Sequence, residues 1–223
     1  MTGAEVAWRT LSREPVQEPC IIGAWMMKRD FFRRYAGITD IYANPVETAV
    51  EAFASAGCNL NPQFIMPSPF QEHLACDPFN IPTEPWKGIE TVRTKQLSPE
   101  DVRDDIDAFL SAHTNDAAYD ITQAGNEYAE RLVKLRNLSR DRTLYIGHFA
   151  MPAFMSGYSK WTYESYLSAL ILYPDHFKAY FMALAQEARF FNQAIAEAVK
   201  NHDIAPFVYN GDDICFNDGP ICS

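Results

Sequence analysis

The chain has 223 residues, 48% of them hydrophobic and 22% charged, with a formal net charge of −10. That balance describes globular material long enough to close a sizeable core, and it excludes a disordered segment. An acidic surface of this size also argues against a general affinity for nucleic acid or anionic membrane, since both need basic groups to displace counterions, so small molecules or proteins are the expected partners.

Residues 1–19 are polar, with Arg9, Arg13, Glu14 and Pro15, and read as a lead-in helix or arm followed by a turn. Cys20 to Met27 is an almost continuous apolar run, the pattern of a strand buried on both faces, and it ends in Lys28-Arg29-Asp30. Lys28 and Arg29 are therefore expected at a strand end, where they either hold an anionic substrate or solvate the terminus. Phe31 to Ile41 reads as a lid or short helix. Asn44-Pro45-Val46-Glu47 opens a helix, with Asn44 as N-cap and Pro45 at the first helical position, and Gly57 closes it in a left-handed conformation.

Leu60 to Met66 is a second strand candidate, weakened by Pro62 and ended by Pro67 and Pro69. Residues 67–97 form a long proline-rich loop of the kind that usually serves function. Ser98-Pro99-Glu100-Asp101 begins another helix, with Val102, Ile106, Phe109 and Leu110 as its buried stripe. A further helix runs from about Ala117 to Leu138, apolar at Ile121, Tyr128, Leu132 and Leu135. Thr143 to Ala150 is the third strand, and it carries His148, which is either a hydrogen-bonded core histidine or a site group. Tyr163 to Tyr173 is helical, and Pro174 restarts a long helix whose apolar positions recur at spacings of four and three.

Phe207-Val208-Tyr209 then breaks into Asn210-Gly211-Asp212-Asp213, which is how a buried strand reads when its C-terminal end opens into a polar pocket. Asp213 is the candidate substrate or acid/base contact and Asp212 its supporting partner; the bland alternative is an acidic turn. The chain ends soon after, with no crossover helix to follow, and reads as incomplete. About four buried strands alternating with amphipathic helices predict an α/β fold with a parallel sheet, a single domain over 1–223.

No apolar run approaches the roughly 18 residues that span a bilayer, and the first residues do not form a signal peptide, so a cytoplasmic location is expected. Five scattered cysteines (Cys20, Cys58, Cys76, Cys215, Cys222) suit free thiols better than a disulfide framework. His73 with Cys76, and Cys215 with Cys222, have loose ligand-like spacings, but two ligands do not make a metal site.

From Tyr163-Glu164-Ser165-Tyr166-Leu167 through Tyr173-Pro174 and the long helix to Gly211-Asp212-Asp213-Ile214 and Gly219-Pro220-Ile221-Cys222-Ser223, the sequence resembles the middle of the uroporphyrinogen decarboxylase superfamily. The resemblance implies a (β/α)₈ barrel, here its N-terminal portion, and two activities: decarboxylation of porphyrinogens and corrinoid-dependent methyl transfer. Tyr173 falls where the decarboxylases keep a site tyrosine. Lys28-Arg29-Asp30-Phe31-Phe32-Arg33-Arg34 lacks their Gln-Ala-Gly, however, and Phe64-Ile65-Met66-Pro67 lacks their aspartate. The pattern leans towards the methyltransferase branch, with a small-molecule substrate and a corrinoid, free or held by a partner protein. That branch uses zinc through a His-x-Cys pair. No histidine here is followed two residues later by cysteine, so no metal is expected within this chain, zinc ligands are expected only beyond Ser223, and the 223 residues alone are expected to be inactive. The alternatives are the decarboxylase and a non-catalytic half-barrel that self-associates through its open edges.

Overall fold

The computed structural model describes residues 1–24, 26, 28–67, 75–76, 97–113, 120–148, 150, 152, 154, 156–210, 215–216 and 219–220. The fold is mixed α/β and mostly helical, with short strands. It divides into two compact units interleaved along the chain. The first comprises Met1–Trp86, Thr122–Phe149 and Ala194–Tyr209, and the second Lys87–Ile121, Ala150–Gln193 and Asn210–Ser223. Among the described residues no helix is long and apolar enough to cross a membrane.

In the first unit the lead-in arm is helix α1 (Gly3–Leu11), started by a capping box in which Thr2 and Glu5 satisfy one another's backbone N–H groups. Helices α2 (Arg29–Ala36) and α3 (Pro45–Ser55) follow. Gly57, at φ +81°, turns the chain into strand β1 (Leu60–Asn61), a conformation that glycine adopts without strain. Strand β2 (Met66–Pro67) pairs antiparallel with β3 (Ala75–Cys76). The parallel pairings run in chain order. Ile22 bridges Leu60, β1 pairs with β4 (Leu144–Tyr145), and β5 (Gly147–His148) pairs with β6 (Val208–Tyr209). Backbone bonds from Gly23 N to Leu60 O (2.9 Å) and from Leu144 N to Asn59 O (2.7 Å) carry the register across.

Alternation along these strands separates two cores. Leu60, Leu144, Ile146 and Ala205 gather with Ala4 and Ala7 of α1. Tyr145, between Leu144 and Ile146, turns to the other core, with Val50 and Phe53 of α3, Phe32 of α2, and Ala129, Leu132 and Leu135 of α5 (Ile121–Ser139). A fork-to-fork ion pair ties α3 to the turn before β4: Arg142 Nη1 donates to Glu51 Oε1 at 3.0 Å and Nη2 to Oε2 at 2.5 Å.

The second unit is built on helices α4 (Pro99–Ala112), α6 (Ser156–Trp161), α7 (Tyr163–Leu172) and the first part of α8 (Pro174–Asn201). Ser98 and Asp101 form the capping box that starts α4. Val102 and Ile106 pack with Trp161, Tyr166, Ala169 and Phe177. The Trp161 indole N–H donates to Asp105 Oδ2 at 2.9 Å, so this buried ring keeps its polar edge paired. A two-residue antiparallel ladder joins β7 (Cys215–Phe216) to β8 (Gly219–Pro220).

Three local expectations need correction. The run Cys20 to Met27 contributes one bridge, at Ile22, and Ile21 and Ile22 are 49% and 60% exposed. The apolar run reads as buried on both faces because sequence cannot show that, among the described residues, its backbone pairs only with Asn59 and Leu60. Lys28 and Arg29 stand at the start of a helix instead of a strand end: Lys28 is the N-cap of α2 and Arg29 its first residue. Asn44 does hold the N-cap position of α3, but at φ −138°, ψ 74° its side chain makes no capping bond, so the start rests on Pro45.

Candidate functional site

Parallel strands bring their C-terminal ends to one edge, and in α/β sheets that edge is where ligands bind. Here β1 runs out into Pro62-Gln63-Phe64-Ile65, β5 ends at His148 and β6 at Tyr209. His148 and Tyr209 are register partners, and their rings meet edge to face with centroids 5.4 Å apart. Helix α5 lies beside this edge and presents Tyr128, Arg131, Leu132 and Leu135, spaced so that they share one side of the helix. Between α5, the chain after β1 and the end of β5 is a cavity of about 310 Å³. Phe64, Ile65, Leu132, Leu135 and Ile146 give it an apolar body, and Gln63, Tyr128, Arg131 and His148 supply polar groups.

Each polar group is placed for a physical reason. Asn61 is fully buried, and its Oδ1 accepts from Gln63 N at 3.1 Å, which turns the chain sharply out of β1. The Asn61 Nδ2 and Gln63 Oε1 atoms are sealed from solvent without a hydrogen-bond partner among the described residues, and each orphan atom costs stability. Burial pushes the Tyr128 phenol up from its ordinary value, and a backbone hydrogen bond from Gly147 pulls it partly back. The phenol therefore stays protonated and can donate. Its ring lies where a side chain at Gly147 would be, so glycine at this place in β5 is what admits it. His148 is exposed at the edge.

Of the residues singled out in the sequence, His148 is the one that lines this cavity. Lys28 is exposed, and the Arg29 guanidinium lies 5.6 Å from the centroid of the Tyr42 ring, a cation–π contact. Tyr173 belongs to the second unit. Its hydroxyl donates to Glu100 Oε1 at 2.8 Å and its ring lies 5.1 Å from the Arg103 guanidinium, so its polar and aromatic faces both serve to clasp the chain at Pro174 to α4. Asp212 and Asp213 lie outside the described residues, as do His73 and Cys222. Cys20 and Cys58 are free thiols, and burial raises both. Among the described residues no three His, Cys, Asp or Glu side chains are grouped to hold a metal ion.

Gln63, Tyr128 and Arg131 are not among the site residues expected from the sequence. Tyr128 had a visible signal as a polar-tipped aromatic within an apolar helical stripe, whereas Gln63 and Arg131 gain meaning only from tertiary placement.

A second cavity, about 390 Å³, lies between α1, α5 and residues 203–205, near the start of β4. Its charged wall is internally paired: Arg136 Nη1 reaches the Asp203 backbone oxygen at 2.9 Å and Oδ2 at 3.1 Å. It is the larger of the two, but the N-terminal edge of a parallel sheet ordinarily serves stability, which makes the edge beside His148 the candidate site. Comparison with protein-family models, with curated proteins and with solved structures gave no match to this chain.

Proposed function

We propose that the chain folds as part of a (β/α)₈ barrel of the uroporphyrinogen decarboxylase type, and that it works in methyl transfer from a corrinoid or other methylated donor to a small acceptor such as a thiol. The barrel reading is supported by the pairing order: each parallel segment lies beside the next in sequence, the order of a closing barrel, whereas a doubly wound sheet reverses direction from a central first strand.

The observation that carries the activity is the size of the cavity beside His148. At about 310 Å³ it stands at the low end of ligand pockets, which suits a single-ring or short-chain acceptor inside it and leaves any four-pyrrole macrocycle, the corrinoid donor included, at its mouth. In this reading the His148 imidazole takes the acceptor's S–H proton. A corrinoid or other methylated donor would supply the methyl group, and the acceptor's thiolate sulfur would receive it, with the leaving electron pair remaining on the donor. Tyr128 orients the acceptor. The described residues do not fit the zinc ion that the resemblance implies, and no step is routed through it.

The decarboxylase reading is favoured by one observation, the Arg131 guanidinium at the cavity, a group suited to a substrate carboxylate. One experiment separates the two. The protein is incubated with methylcobalamin and simple thiols, and in parallel with uroporphyrinogen, and the products are followed by mass spectrometry. Methyl thioether that forms with the native chain and falls at least tenfold in H148A supports methyl transfer. Carbon dioxide release without thioether overturns it, and so does thioether formation indifferent to H148A.

A further inference from the structure

The α5 face of the cavity carries two donors one turn apart. The Tyr128 hydroxyl accepts from the Gly147 backbone, is kept protonated by burial, and has its own proton left to give. Arg131 lies three residues on, and a guanidinium has five donors in a planar fork matched to a carboxylate. Arg131 also contacts Glu127, at 4.0 Å between exposed groups, an ion pair of the weak kind. Beyond these donors the wall turns apolar, with Phe64, Leu135 and Ile146.

We infer that this cavity binds small monocarboxylic acids with an apolar body, the carboxylate taken by Tyr128 and Arg131 and the body lying against Phe64, Leu135 and Ile146. The inference names a carboxylate as the recognition group that the thiol acceptor of the site proposed above would carry, with phenylacetate as its thiol-free probe, and rests on that reading for its place in a reaction. The binding itself stands on the geometry alone. A carboxylate fills both donor directions with charge-assisted bonds, whereas a neutral amide of the same shape offers one weaker acceptor. Gly147 is part of the device, because it allows the phenol to reach the cavity.

Phenylacetate and phenylacetamide have the same ring and nearly the same shape but differ in charge. Calorimetric titration of the whole chain is expected to show phenylacetate binding about tenfold more tightly. Arg131→Gln, a change on an exposed helix position, should bring that ratio close to one, and Tyr128→Phe should weaken both ligands. Equal affinity for the two in the native chain overturns the inference, as does a ratio that survives Arg131→Gln, or the absence of binding by either at millimolar concentration. Should Tyr128→Phe fail to fold, the native ratio and the Arg131 variant still decide. Methyl transfer that fails while the ratio holds removes the catalytic reading and leaves the binding class. A lost ratio with methyl transfer intact does the reverse.

Discussion

Gly147 and the ring of Tyr128 compete for one space: a Cβ built on Gly147 would lie 2.5 Å from Tyr128 Cε2 and 2.7 Å from Cζ. These are rigid ring atoms of a half-buried side chain, so relief requires moving the ring or the strand. Gly147→Ala is expected to cost about 1–3 kcal/mol, the usual penalty for overpacking, as measured by urea unfolding. The same substitution made on a Tyr128→Ala background should cost far less. Additive effects of the two changes would show that the strand, and not the ring, sets the requirement for glycine.

Glu51 is held below its ordinary value of 4.5, chiefly by its hydrogen bond from Arg142. A carboxyl depressed in the folded state contributes stability that is full above the unfolded value and disappears as pH falls through the folded one. Glu51→Gln should therefore lower stability at neutral pH, and the gap from the native chain should close below about pH 4. The two side chains are 39% and 42% exposed, so solvent screening keeps the effect below about 1 kcal/mol. A gap that widens on acidification would contradict the assignment.

In the second unit the Trp161 side chain is 1% exposed and gives its indole proton to Asp105. Asp105→Ala strands that donor and should destabilise by about 1–3 kcal/mol, whereas Asp105→Asn, which retains an acceptor oxygen, should cost less. Unfolding curves of the two variants, followed by tryptophan fluorescence, provide the comparison.

Tyr173→Phe distinguishes a clasp from a site residue. Glu100 is lowered first by the Tyr173 hydroxyl and then by its own backbone N–H, so removing that hydroxyl should shift the Glu100 titration upward in a carboxyl-detected NMR experiment. Phenylacetate affinity should not change. Loss of binding in this variant would return Tyr173 to the ligand.

Local chemistry made the helices legible. Ser98 with Asp101, and Pro45 and Pro174 at first helical positions, mark starts that the structure keeps, because caps and proline act within one turn of chain. Strand positions near Leu60, Leu144 and Val208 were legible as apolar runs between helices. Their lengths were not, since pairing depends on the partner strand, and Ile22 shows how little of an apolar run becomes ladder. His148 could be marked from its place near a strand end. Gln63, Tyr128 and Arg131 meet it through a turn held by Asn61 and through a helix face, and no spacing in the sequence connects those elements. Tyr173 drew attention as a tyrosine beside proline, and its partners Glu100 and Arg103 come from a helix some seventy residues earlier in the chain.

The chain-ordered parallel pairing also bears on synthesis. As the polypeptide leaves the ribosome, each segment that arrives finds its neighbour already made: Leu60 meets Ile22, Leu144 meets Leu60, and Val208 meets Gly147. Among the described pairings each late segment adds beside the one made before it, whereas the first strand of a doubly wound sheet also takes a later strand at its other side. Growth at one advancing edge lets the first unit assemble in the direction of translation, with the newest strand and the Ile22 edge the places open to wrong partners.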